Sequence, residues 1–232
     1  MPTRPAKKAS PRPRVKPVEA NRIPRQRLTP EEREHDIIQR AVSVLARHGF
    51  EVSTRDLAKE LGITQPLLYR YFPSKEALVD RVYEEVFVRR WNPEWEEWLS
   101  DRATPLRERL CRYLKDYARF ILRNEWVRIF IYAGLSRGGI NQKYLARLRE
   151  RHFAVIAREL RHEFDIPDPR NEVEEEDEIE LVWATHSGVF YLGVRKWIYE
   201  QPIPKNIDHV IEMRVDAFLQ GVPPVLKANR KI

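Results

Sequence analysis

Seventeen residues, Thr54-Arg-Asp-Leu-Ala-Lys-Glu-Leu-Gly-Ile-Thr-Gln-Pro-Leu-Leu-Tyr-Arg70, restrict the fold more than any other stretch of the chain. Leu57, Ala58 and Leu61 recur at the spacing of a helix, and Thr54 stands where it can cap that helix. Gly62 falls at a sharp turn, where glycine alone adopts φ > 0 cheaply. Thr64 can cap a second helix with Pro66 in its first turn, and Leu68, Tyr71 and Phe72 face back inward. Ala58 is small where the two helices cross. Gln65, Pro66, Tyr69 and Arg70 are left on one outer face. A short helix braced by a buried partner and offering an amide, a phenol and a guanidinium reads as a DNA major-groove reader. The bland alternative is a helical hairpin with those residues as solvated surface.

The flanks extend this unit. Thr29-Pro-Glu-Glu32 has the pattern of a capping box with Pro at the first helical position. Ile37, Ile38, Ala41, Val42 and Leu45 follow as an inward stripe, and Gly49 ends it. After Pro73, Ser74 can cap a connector whose Leu78, Val79, Val82, Tyr83, Val86 and Phe87 form a buried stripe. The spacing predicts a three-helix unit plus connector over residues 29–90.

Gly49-Phe50, Thr54-Arg-Asp-Leu-Ala58, Leu-Gly-Ile-Thr64 and Leu68-Tyr-Arg-Tyr-Phe-Pro-Ser-Lys-Glu-Ala-Leu78 agree in type and spacing with the tetracycline-repressor (TetR) family. The chain resembles that family over about residues 29–80. The resemblance implies a homodimeric repressor with a helical, ligand-binding second domain. It assigns Tyr69 and Lys75 to phosphate contacts and residues 64–70 to the groove, so that Thr54, Thr64, Gln65, Pro66, Leu67, Tyr69, Arg70 and Lys75 make up the expected DNA-binding set. It also implies that an effector in the second domain reorients the connector, here residues 74–90. Pro66-Leu67 stands where small or polar residues often occur in such sequences.

Charge is distributed unevenly. Residues 1–28 carry nine Lys/Arg against Glu19 alone, whereas the rest of the chain holds 33 basic and 34 acidic side chains. Six prolines and little to bury lead us to expect a disordered basic tail over residues 1–28, either an arm for the DNA backbone or a solubilising leader. One cysteine, Cys111, excludes an internal disulfide, and no metal-finger spacing is present. With neither a signal-peptide pattern nor a membrane-spanning apolar run, the expected location is cytoplasmic, with no membrane partner.

Residues 91–232 are expected to form an effector-binding and dimerisation domain, making the whole chain all-α. Trp91, Trp95 and Trp98 mark an aromatic segment, and Thr104-Pro105 opens a helix carrying Tyr113 and Tyr117. Residues 126–135 are apolar nearly all round, with Gly138-Gly139 after them. A helix over about 140–164 places His152 in an apolar stripe. The run Glu174–Glu178 reads as a solvated first helical turn rather than a metal site. Ile179 to Ile198 form an unbroken stripe, with Ala184, Ser187, Gly188 and Gly193 permitting close approach, and a last helix carries Ile207 to Leu219. These two helices can supply half of an intermolecular bundle or pack within their own chain. With the resemblance favouring a homodimer, the expected interface is Trp183, His186, Phe190, Trp197, Ile211 and Phe218.

The expected function is a transcriptional repressor that binds a double-stranded palindromic operator as a homodimer and is released by a small, mainly apolar effector. Tyr113, Tyr117, Trp126, Phe130, His152 and Trp183 are the candidate ligand-binding residues. Arg147, Arg151 and Arg158 hint at an acidic ligand, although a solvated face is their simplest place. The alternative is a constitutive DNA-binding module with no effector. An enzyme is not expected, because the six histidines are scattered and no nucleophile has a visible base. No cofactor or metal is expected; His152 and His162 do not share a helical face.

Overall fold

Thr29 and Glu32 close the first helix on each other, the Glu32 N–H donating to Thr29 Oγ1 at 3.2 Å and the Thr29 N–H to Glu32 Oε2 at 2.8 Å. In this computed structural model, which describes residues 28–136 and 139–230, that box starts α1 (Pro30–His48). The expected basic tail therefore lies outside the described residues, apart from Leu28. Gly49 ends α1 with φ 73°, and a Cβ there would sit 3.0 Å from the Tyr132 ring, so glycine serves both the turn and a close approach.

α2 (Thr54–Glu60) and α3 (Gln65–Tyr71) follow as expected, with one correction. Ser53, not Thr54, caps α2, accepting from the Asp56 N–H at 3.1 Å. Both hydroxyl residues can cap, but the helix begins one residue earlier, which frees the Thr54 side chain for α3. Leu45, Leu57, Leu61, Leu68, Phe72 and Leu78 bury the centre of this head. Each contributes about 1.5–3 kcal/mol by leaving water.

Ser74 caps α4 (Lys75–Tyr83), which runs on through a wide π turn, Glu84–Val88, closed by the Arg89 N–H to the Glu84 carbonyl at 2.9 Å. The turn brings Phe87 against Trp126, ring centroids 4.9 Å apart, and against Tyr144 at 5.8 Å. The connector thus ends inside the second domain's core.

That domain comprises α5 (Trp95–Ser100), α6 (Leu106–Ile121), α7 (Asn124–Leu135), α8 (Ile140–Leu148), α9 (Ala154–Phe164), α10 (Glu172–Trp197) and α11 (Ile207–Asn229). α8 passes into α9 through a second π turn, Arg149–Phe153. α7 ends at Leu135; of the expected Gly138-Gly139 stop, Gly138 is outside the described residues. Pro223 and Pro224 lie within α11 without ending it. Gly193 lets α10 meet α7, since a Cβ there would be 2.7 Å from Val127 Cγ2. The described residues are helical with no strand, so the architecture is all-α, and none of the helices is long and apolar enough to cross a membrane.

The acidic run departs from expectation at one residue. Asn171 caps α10 and the first turn is acidic, but Glu178 is buried and paired with Arg161 and Arg230 rather than solvated. No metal-ligating group of three His, Cys, Asp or Glu occurs among the described residues.

Three of the expected dimer residues are corrected. His186, Ile211 and Phe218 are buried within their own chain, and Phe190 packs on Trp126 and Phe130. Trp183 and Trp197 are half-buried against the same core. The most apolar stripe of α10 faces α6, α7 and α9. What remains open on α10 and α11 is a different face, Ala184 and Tyr191, then Met213, Ala217 and Gly221, with Gly188 half-buried beneath the Arg214 guanidinium.

Candidate nucleic-acid interface and aromatic core

The outer face of α3 is built from its cap upward. Thr64 accepts from the Leu67 N–H at 3.3 Å, and Pro66 occupies the first turn, where a missing N–H costs nothing. Gly62 turns the chain with φ 63°, and Arg40 of α1 braces the turn by donating to the Leu61 carbonyl at 2.5 Å. Thr54 Oγ1 accepts from Gln65 Nε2 at 3.1 Å and lies 3.2 Å from the Tyr69 hydroxyl, tying the start of α2 to both ends of α3.

Seven of the eight expected DNA-binding residues lie on or beside α3, and Thr54 joins them through these bonds. Pro66, Tyr69 and Arg70 are exposed, whereas Gln65, Leu67 and Lys75 are half-buried. Arg70 and Lys75 have no carboxylate partner among the described residues. The exposed Arg70 guanidinium suits a guanine edge, the half-buried Gln65 amide could meet an adenine edge only by leaving Thr54, and Lys75 in the first turn of α4 suits a phosphate. Ser53 and Arg40 were missed by the sequence reading. Ser53 was hidden by its neighbour, and Arg40 looked like surface.

The second candidate region is the aromatic core. The Tyr113 hydroxyl lies 3.0 Å from His152 Nδ1 and 2.9 Å from His186 Nε2. A phenol donates once and accepts once here, so one imidazole must present N–H and the other a lone pair. Burial lowers the His152 pKa to about 3, helped by Arg147 and Arg151, and pushes His186 well below its usual value. Burial also raises Tyr113 well above the ordinary phenol range. All three are neutral at pH 7. His152 Nε2 is buried and has no hydrogen-bond partner.

Trp91 stacks on His152 at 4.7 Å and Trp95 meets it edge-on at 5.4 Å. Tyr117 lies 4.2 Å from His186 and receives a hydrogen bond from Tyr144 at 3.4 Å. Of the expected ligand residues, Tyr113, Tyr117 and His152 therefore form one cluster. Trp126 and Phe130 stack on each other at 4.9 Å and join it through Tyr144. Trp183 stands apart, touching Phe153 at 5.2 Å. Trp91, Trp95, Tyr144 and His186 complete the core without having been assigned to it. The four-residue spacing of Trp91 and Trp95 was the available signal. Arg151 and Arg158 pair with Glu96 and Glu159, and Arg147 lies over the Trp91 ring, so none of the three is a bare cation facing the core.

Residues 37–82 match the family described as bacterial regulatory proteins, tetR family. The chain is similar to the tetracycline repressor protein class D of Escherichia coli, with 33% identity over 85 residues, 33% of this chain and 39% of that protein. The match thus spans about two fifths of that relative's length. Among solved structures, a TetR-like transcriptional regulator from Rhodococcus sp. RHA1 aligns at a TM-score of 0.62 and 23% identity, covering 84% of this chain and all of that one (100%). The TetR family transcriptional regulator PfmR from Thermus thermophilus aligns at 0.58 and 23%, covering 80% and 98%. At that identity these two alignments show a shared fold over most of the chain.

Proposed function

We propose that the chain is a tetR-family DNA-binding transcriptional regulator, a repressor that grips a palindromic operator as a homodimer; the match of residues 37–82 to that family supports this reading. The observation that carries this reading is the face of α3, where Pro66, Tyr69 and Arg70 are exposed while Leu68 and Phe72 lock the helix from behind. A two-fold pair of such helices needs half-sites about one turn of B-DNA apart, roughly 34–36 Å. The open face of α10 and α11 around Gly188 and Ala217 is the surface through which the two copies meet.

Release by a small, mainly apolar ligand in the aromatic core completes the proposal. Support comes from the connector, whose Phe87 and following Trp91 belong to that core, so that displaced rings move the reading head. Tyr113, Tyr117, Trp126, Phe130 and His152 line the route, with the unpartnered His152 nitrogen as the orienting group. A hundredfold preference for the DNA-incompetent state supplies about 2.7 kcal/mol of coupling. The close ring contacts favour a second reading, a constitutive DNA-binding protein with a solid second domain.

Operator selection with purified protein tests the DNA reading, and enrichment of no inverted repeat overturns it. Thermal melts against small apolar amides, acids and cations then separate the two readings. A compound that stabilises the protein and releases the selected DNA decides for the regulated form.

A further inference from the structure

A cleft opens where α1, the end of the connector and the start of α7 meet, and it is separate from the polar cluster around Tyr113. It measures about 500 Å³ counted to its solvent mouth, and Gln39, Ser43, Val86, Arg90, Arg123 and Trp126 line it. Gln39 is engaged with Glu85, but three other donors at the cleft have no acceptor. Arg90 and Arg123 are exposed and form no ion pair among the described residues. The Trp126 indole N–H is buried and unpartnered. α7 begins beside Arg123 with no side chain capping it, so its first backbone N–H groups add partial positive charge at the same place.

The carboxylates nearby do not cancel this. Glu85 is already held by Gln39 Nε2 at 2.6 Å and by Arg89 at 3.5 Å. Glu125 lines the cleft but is exposed to water. Val42, Val86 and the Trp126 ring supply apolar wall beside the donors.

We propose that this cleft binds a small carboxylate bearing an apolar body, and that its occupancy sets the reading head against the second domain. Two arginines and a free helix start recognise the carboxylate, forming charge-assisted bonds that a neutral amide cannot replace. The apolar part lies along Val42, Val86 and Trp126. One wall belongs to α1 of the head and another to α7 of the body, so a bridging ligand favours one head orientation and shifts DNA affinity. That coupling rests on the regulator reading, whereas binding itself does not.

The test uses full-length protein, with benzoate as the probe and benzamide as its neutral match, followed by calorimetric titration. Benzoate is expected to bind saturably, and benzamide about tenfold or more weaker. Arg123→Gln and Arg90→Gln, both at exposed side chains and checked for unchanged helicity, are expected to weaken benzoate about tenfold each; Lys205→Gln, in the loop before α11, leaves it unchanged. Absent saturation at millimolar benzoate, equal binding of benzamide, or unchanged affinity in both arginine variants overturns the site. Saturable binding with no change in affinity for the selected operator overturns the coupling. A protein that selects no operator overturns the regulator reading and leaves the binding result to stand by itself.

Discussion

Trp91 lies flat on His152, their ring centroids 4.7 Å apart and their planes 17° from parallel. The same histidine is bonded to Tyr113, so the segment leaving the connector is fixed to the least accessible polar group of the second domain. Under the proposed ligand release, a displaced His152 would push on Trp91 and so on the connector that leads back to α3.

Base preference should reside on the exposed face of α3. Arg70→Ala and Gln65→Ala are expected to alter the selected operator, each costing about 1–3 kcal/mol at the affected base pair. Tyr69→Phe and Lys75→Ala should weaken all sequences alike and reduce the salt dependence. Selection experiments on the four variants decide this, and an unaltered consensus for both Arg70→Ala and Gln65→Ala defeats the assignment.

Dimerisation should fail at the open face of α10 and α11 and not at the buried stripe. Gly188→Trp and Ala217→Glu are expected to yield a folded monomer by light scattering, with specific DNA binding lost. Phe218→Asp should instead unfold the second domain, because that ring is only 6% exposed within its own chain. Monomeric wild-type protein at micromolar concentration rules the dimer out.

Acid should destabilise the protein before its carboxylates titrate. His152 and His186 have folded pKa values below the unfolded value of about 6.5, so the unfolded chain binds the extra protons. Their stabilising effect is complete above about pH 6.5 and is lost as pH falls toward about 3 for His152. The slope steepens as pH drops below about 6.5, and both imidazoles act in the same direction. Urea unfolding at intervals from pH 7 to 5 measures it. A flat profile contradicts the burial of neutral imidazoles.

The basic segment should act through charge alone. Removing residues 1–27 deletes nine Lys/Arg and is expected to make log affinity fall less steeply with log salt, by about 0.9 for each phosphate that the segment had neutralised. Identical slopes for the full and shortened chains leave the segment as a leader.

The sequence disclosed what local chemistry decides. Thr29, Gly49, Thr64 and Ser74 each start or stop a helix where expected, because a cap needs only its own few neighbours. Ser53 and Thr54 were confusable since adjacent hydroxyls satisfy the same rule. The π turns at Glu84–Val88 and Arg149–Phe153 had no signature, because the apolar spacing of an ordinary helix does not show where one extra residue enters a turn. His186 and Phe218 look the same in sequence whether they face their own chain or another, and only the assembled fold assigns them inward. The cluster around Tyr113 was legible in part, because helical spacing locates an aromatic residue on a face without naming the ring opposite.

Arg230, near the end of the chain, shares Glu178 with Arg161, so one buried carboxylate ties together the last turn of α11, α9 and the first part of α10. For α11 to slide along its axis, Arg230 would have to give up its ion pair with Glu178, leaving that carboxylate to Arg161 alone. The helix therefore behaves as a rod pinned at its far end rather than one held only by friction along its length. Whatever lies against Met213, Ala217 and Gly221 meets them at a fixed height relative to Gly188, and a truncation before Arg230 would unlock that height without touching the face itself.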